Sequence, residues 1–132
     1  MKNIAIVFII ALVCLVGSLL CIAGTQAPPT LSWNFAAQNA VGATSDMACF
    51  PNGYPSRHTV SLVVTGTPAT CTYSLMSCDN AGCYDISGPQ ACTASVQFSV
   101  DQRPARCIEG YVDTLTGGSS PTVQMNYTGA LR

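Results

Sequence analysis

The sequence predicts an all-β fold, an antiparallel two-sheet sandwich of jelly-roll or immunoglobulin-like type, stapled by disulfides and preceded by an N-terminal hydrophobic segment. Three observations predict it. Segments of alternating apolar and polar residues recur about every ten residues after position 30, separated by Gly-, Pro- and Asn-rich turns. Five of the eight cysteines crowd into Cys71 to Cys107, among these same segments. No window after residue 24 carries the 3.6-residue apolar period and caps of a helix.

Lys2 precedes an apolar run from Ile4 to Ala23, interrupted by Gly17 and Ser18. A positive start, an apolar core and small residues at Cys21 and Ala23 read as a secretory signal over 1–23, cut after Ala23. Two rival readings remain. The run is long enough to serve as an uncleaved membrane anchor, and Cys21 is a candidate lipid-bearing residue, although Leu20 is large for such a site. All three readings send the rest of the chain out of the cytoplasm. Cleavage would remove Cys14 and Cys21 and leave Cys49, Cys71, Cys78, Cys83, Cys92 and Cys107. An even number of cysteines in an oxidising compartment implies disulfides, with the connectivity open. Cys78 and Cys83 flank a four-residue turn and form the most plausible local bridge. Cys71 and Cys107 are expected to pair distantly and to matter more to folding. Zinc is disfavoured: the sequence holds no Cys-x-x-Cys pair, and His58 is the single histidine.

Residues 24–29 read as a linker and 30–132 as the sandwich domain. Thr30 to Phe35 alternates, putting Leu31, Trp33 and Phe35 on one face, with Trp33 expected in the core. Ala36 to Asp46 reads as a loop or weak strand, and Cys49 to Pro55 as turns. Thr59 to Thr65 is a strand with Val60, Leu62 and Val64 on one side. Cys71 to Ser77 follows with Cys71, Tyr73 and Leu75 inward, and Cys83 to Ile86 is a short return. Ser95 to Val100 places Val96, Phe98 and Val100 together. Arg106 to Leu115 groups Ile108, Gly110 and Val112. Thr122 to Tyr127 closes the domain with Val123, Met125 and Tyr127 inward.

Charged residues are only 8% of the chain, five basic against six acidic. Arg57, Arg103, Arg106 and Arg132 are scattered, so neither a phosphate-tracking surface nor a polybasic membrane patch is expected. Catalysis is equally unpromising. His58 lies beside Arg57 in a Pro-rich stretch and reads as a solvated loop residue. No G-x-S-x-G elbow is present. Asp79, Asp85, Asp101, Glu109 and Asp113 show no spacing that selects an acid–base pair. Asp79-Asn80-Ala81-Gly82 with Asp85 carries too few carboxylates for a calcium loop and reads as a plain turn. Asn126-Tyr127-Thr128 is a glycosylation sequon. No cofactor or metal is expected. A binding site needs less: exposed aromatics with amides on adjoining loops. Tyr54, Asn80, Tyr84 and Tyr111 are the candidates.

The order Cys71-Thr72-Tyr73-Ser74-Leu75, Asp79 to Ile86, Pro104-Ala105-Arg106-Cys107-Ile108-Glu109 and Gly117 to Tyr127 resembles β-sandwich modules of discoidin type and similar small sandwiches of phage and bacterial surface proteins, over about residues 59–129. Where such modules often carry a tryptophan after the acidic-Gly turn, this chain has Cys83-Tyr84, and Arg106-Cys107 stands for an Arg–aromatic pair. The resemblance implies a module that binds glycans or other surfaces, or builds assemblies, rather than a catalyst. The expected function is therefore a secreted or surface-exposed structural or adhesive module, with carbohydrate binding as the alternative. The expected partners are further copies of the chain or surface glycans, and a membrane only through an uncleaved N-terminal segment.

Overall fold

The computed structural model describes residues 29–131, so the N-terminal segment of 1–23 and most of the 24–29 linker lie outside the described residues. Nine strands follow in order: β1 (Thr30–Asn34), β2 (Ala48–Cys49), β3 (Arg57–Thr65), β4 (Thr70–Asp79), β5 (Gly82–Asp85), β6 (Gln90–Ala91), β7 (Val96–Asp101), β8 (Cys107–Thr116) and β9 (Thr122–Ala130). Every pairing is antiparallel. One sheet runs β1-β9-β3-β7. The other runs β2-β8-β4-β5, with β6 also on β4. The order is nested: the first strand pairs with the last, and the second with the last but one.

The period-2 pattern sets which side chains meet. Val60 and Leu62 on β3 and Val123, Met125 and Tyr127 on β9 face Cys71, Tyr73 and Leu75 on β4 and Ile108, Val112 and Leu115 on β8, in one buried cluster. Burial of this apolar surface is the main stabilising term. A bulge between Thr72 and Tyr73 pairs these residues with Thr114 and Val112, leaving Asp113 as the extra residue on β8. Its carboxylate accepts from the Ser74 hydroxyl at 2.8 Å. At one end, the β3–β4 and β8–β9 turns lock together, with Ser119 N–H donating to the Gly66 carbonyl at 2.9 Å. Gly66 has φ +73°, and a Cβ there would lie 2.7 Å from Pro121 Cα, so only glycine fits.

Two expectations are corrected. Trp33 is 45% exposed rather than in the core. It lies opposite Tyr127 on β1, but β1 is an edge strand bonded only to β9, so the rim leaves the indole uncovered. Leu31 and Phe35 do pack on the core. His58 is not a solvated loop residue. Strand β3 starts at Arg57, and alternation turns His58 inward beside Val60 and Leu62, where it is fully buried. Its polarity is satisfied. Nε2 donates to the Arg103 carbonyl at 2.6 Å, which leaves Nδ1 to accept from the Tyr127 hydroxyl at 2.8 Å. The strand β6 was absent from the sequence reading, and the cysteine beside it explains why it forms: Cys92 bridges to Cys71.

Candidate functional site

Among the described residues the six cysteines form three bridges, Cys49–Cys107, Cys71–Cys92 and Cys78–Cys83, and the last is the expected local one. Cys71 and Cys107 each close a longer loop, to Cys92 and Cys49, separated by 21 and 58 residues against 5 for Cys78–Cys83. Three disulfides in a small β domain fit an oxidising, extracytoplasmic setting.

Two of these bridges share one line. Cys49 is the register partner of Cys107, Cys107 of Cys78, and Cys78 of Cys83. Four cysteines therefore stand side by side across β2, β8, β4 and β5. They point away from the core, because their strand neighbours Ile108 and Ser77 point toward it. The two ends, Cys49 and Cys83, are exposed, whereas Cys78 and Cys107 are buried. A pocket of about 270 Å³ opens over the row, lined by Met47, Cys49, Cys78, Asp79, Asn80, Arg106 and Cys107. The Glu109 carboxylate lies within 4.8 Å of the Cys78 and Cys83 sulfurs, and burial pushes its pKa above the usual value. Those two sulfurs are bonded to each other, which removes the thiolates that a zinc ion would need.

The proposed binding residues are not brought together. Tyr111 lies mid-strand on β8, bridged to Thr44 and opposite Ser74. Tyr84 is on edge strand β5 opposite Ser77, on the sheet's other face. Asn80 is in the β4–β5 turn and reaches the pocket. Tyr54 is exposed in the loop between β2 and β3. Of these, Asn80 alone lines the pocket.

Four of the five candidate carboxylates are occupied structurally, Asp113 by Ser74 as above. Asp79 caps its turn by accepting from Ala81 N–H at 2.7 Å. Asp85 accepts from Ser87 and Gly88 N–H, both at 2.9 Å. Asp101 pairs with Arg57 at 3.0 Å. Burial keeps His58 below its ordinary pKa, against weaker opposing effects of the Arg103 carbonyl and Asp101, and raises the Tyr73 and Tyr127 hydroxyls above the usual phenol range.

A feature missed in the sequence is the outer face of the β1-β9-β3-β7 sheet. Register aligns Ser32, Thr128, Thr59 and Ser99 in one row and Asn34, Asn126, Ser61 and Gln97 in the next. Thr65 and Thr122 hydroxyls meet at 2.8 Å farther along. Val63 is the large apolar member of this face, and the Arg57–Asp101 pair closes one end. The signal was present as the polar half of each alternation, but the rows exist only once register is fixed.

Fold and surfaces together define a disulfide-stapled antiparallel β-sandwich with one uncharged polar face. No family model matches the chain, and no curated protein does. Among solved structures it is similar to the SPBc2 prophage-derived protein YomS, with a TM-score of 0.51 and 12% identity, over 77% of this chain and 93% of that one. That likeness concerns the fold alone.

Proposed function

We propose that the chain is a non-catalytic structural or adhesive module, exported and displayed on a surface or in an extracellular assembly. We also read the nested strand order as a jelly roll rather than an immunoglobulin-like sandwich, since first-with-last and second-with-next-to-last pairing is what two interlocked Greek keys produce. Jelly rolls commonly serve as capsid and lectin domains, which is an argument by analogy of fold. The observation that carries the reading is the outer face of the β1-β9-β3-β7 sheet. Its hydroxyl and amide rows offer donors and acceptors over four strands, with one ion pair at the margin. Such a face suits broad contact with another neutral surface, not the chemistry of a reacting group. His58 supports the same reading, because its two ring nitrogens are both engaged within the core. The similarity of residues 59–129 to discoidin-type surface modules points the same way.

Carbohydrate binding is the second reading, favoured by the same rows, since hydroxyl and amide groups also bond polyols. Light scattering and electron microscopy should show higher-order assembly with a blank glycan array under the first reading. A selective array without assembly would replace it by the second. Hydrolase activity on a polysaccharide or ester panel that vanished with His58→Ala would overturn both.

A further inference from the structure

We propose that the row Cys49, Cys107, Cys78 and Cys83 is a thiol-exchange relay, which takes a small peptide thiol at Cys49 and releases a thiol at Cys83. The reaction needs a thiolate, an accessible disulfide sulfur and an in-line approach. Cys49 is exposed, and its bridge to Cys107 lines the pocket. The incoming thiolate bonds to Cys49 Sγ, the Cys49–Cys107 bond breaks, and Cys107 leaves as a thiolate. Arg106 lines the same pocket, and a cation there favours a leaving thiolate.

The second step follows from register. Cys107 and Cys78 are cross-strand partners on one face, so their Cβ atoms lie about 4.5–5.5 Å apart. A disulfide needs about 3.5–4.5 Å, a shift within the reach of two adjoining strands. The row also runs across the strands, so Cys107 approaches Cys78 from the side opposite Cys83. It bonds to Cys78 Sγ, the Cys78–Cys83 bond breaks, and Cys83 leaves as a thiolate that takes a proton from solvent. Glu109, near Cys78 and Cys83, carries a like charge when ionised and favours the protonated thiol there. Two disulfides are present before the thiol arrives. Afterwards there are one mixed disulfide at Cys49, one new bridge Cys78–Cys107 and one free thiol. No external oxidant or reductant is consumed. The third bridge, Cys71–Cys92, is buried within the core and lies outside the row.

The test incubates the full chain, with its three disulfides intact, with glutathione under native conditions. The products are trapped with N-ethylmaleimide and the bridges mapped by mass spectrometry. The expected product carries glutathione on Cys49, a Cys78–Cys107 bridge and maleimide on Cys83, with Cys71–Cys92 exchanging at least about tenfold more slowly because it is inaccessible. Maleimide on Cys107, glutathione on Cys83, exchange of Cys71–Cys92 at an equal rate, or no adduct would each overturn the relay. A second arm uses Cys83→Ser without added thiol. The freed Cys78 should then share the remaining bridge, giving both Cys49–Cys107 and Cys78–Cys107 species. Cys49–Cys107 alone would also overturn it.

Discussion

Burial in the folded core disfavours the protonated form of His58. Its Nδ1 accepts from Tyr127, and Tyr127 also stacks against Phe50 with ring centroids 5.9 Å apart, so the imidazole anchors β3 to β9 and to the loop after β2. Burial holds its pKa below the ordinary imidazole value of 6.5. The unfolded chain therefore binds this proton first, as pH falls through 6.5, and stability declines until the folded-state pKa is passed. The contribution is complete above pH 6.5. Glu109 acts with the opposite sign and lower down, because its raised pKa favours the folded state only below the window that begins at 4.5. Comparing melting temperatures from pH 8 to 5 for wild type and His58→Gln cancels Glu109, and wild type should lose more stability than the variant as pH falls below 6.5. An unchanged slope in the variant would refute the assignment. A second residue, Gly110, shares the core face of β8, where any Cβ would run into the Tyr73 ring and hydroxyl. Tyr73 cannot retreat, since its hydroxyl donates to Gln38 at 2.9 Å. Gly110→Ala should cost about 1–3 kcal/mol by overpacking, measured by urea unfolding. Full stability in that variant would show that the ring has room.

Among the strands, the loops closed by the disulfides set a ranking. Spans of 58, 21 and 5 residues correspond to unfolded-state losses of about 4, 3 and 2 kcal/mol for Cys49–Cys107, Cys71–Cys92 and Cys78–Cys83 in the chain-entropy account. Double Cys→Ser variants should fall in that order by chemical unfolding, and equal midpoints would sink it. Cys71–Cys92 lies in the core, so its removal also leaves a packing defect and can close the gap to the first. The long strands β3, β4, β8 and β9 were legible because one face of each is largely apolar and the other mostly polar. The two-residue strands β2 and β6 carry no period, and they exist because adjoining chain holds them. His58 was misplaced because Pro55-Ser56 ahead of it resembles a turn, and sequence does not reveal that Tyr127 and the Arg103 carbonyl await the ring. Trp33 was misplaced because edge position is a property of the sheet. The bridge Cys78–Cys83 was readable from its turn. The row of four cysteines was not, since it depends on register between strands remote in sequence.

At the scale of the whole molecule, net charge is near zero, at −1, and the polar face of the β1-β9-β3-β7 sheet is built from neutral groups. Arg57, the cation at its margin, is already paired with Asp101 and mostly exposed, so it adds little. Contact through this face, as proposed, would rest on hydrogen bonds and shape rather than on charge. Salt screens charge contacts over about 10 Å at 0.1 M, but it has little hold on neutral ones. Assembly or adhesion should therefore change by less than about twofold between 50 and 500 mM salt, where a phosphate-tracking protein would lose orders of magnitude. Ser61 lies mid-face between Asn126 and Gln97. Ser61→Lys would place a charge in the neutral row and should weaken the contact while leaving melting temperature nearly unchanged, since the position is on the sheet's outer side. Tyr54→Ala should weaken it less, because Tyr54 lies in the loop before β3 and outside the polar rows. Light scattering over a salt series, with these two variants alongside wild type, decides the matter: a steep loss of association with salt, or Ser61→Lys binding as well as wild type, would mean that the contact runs through another surface.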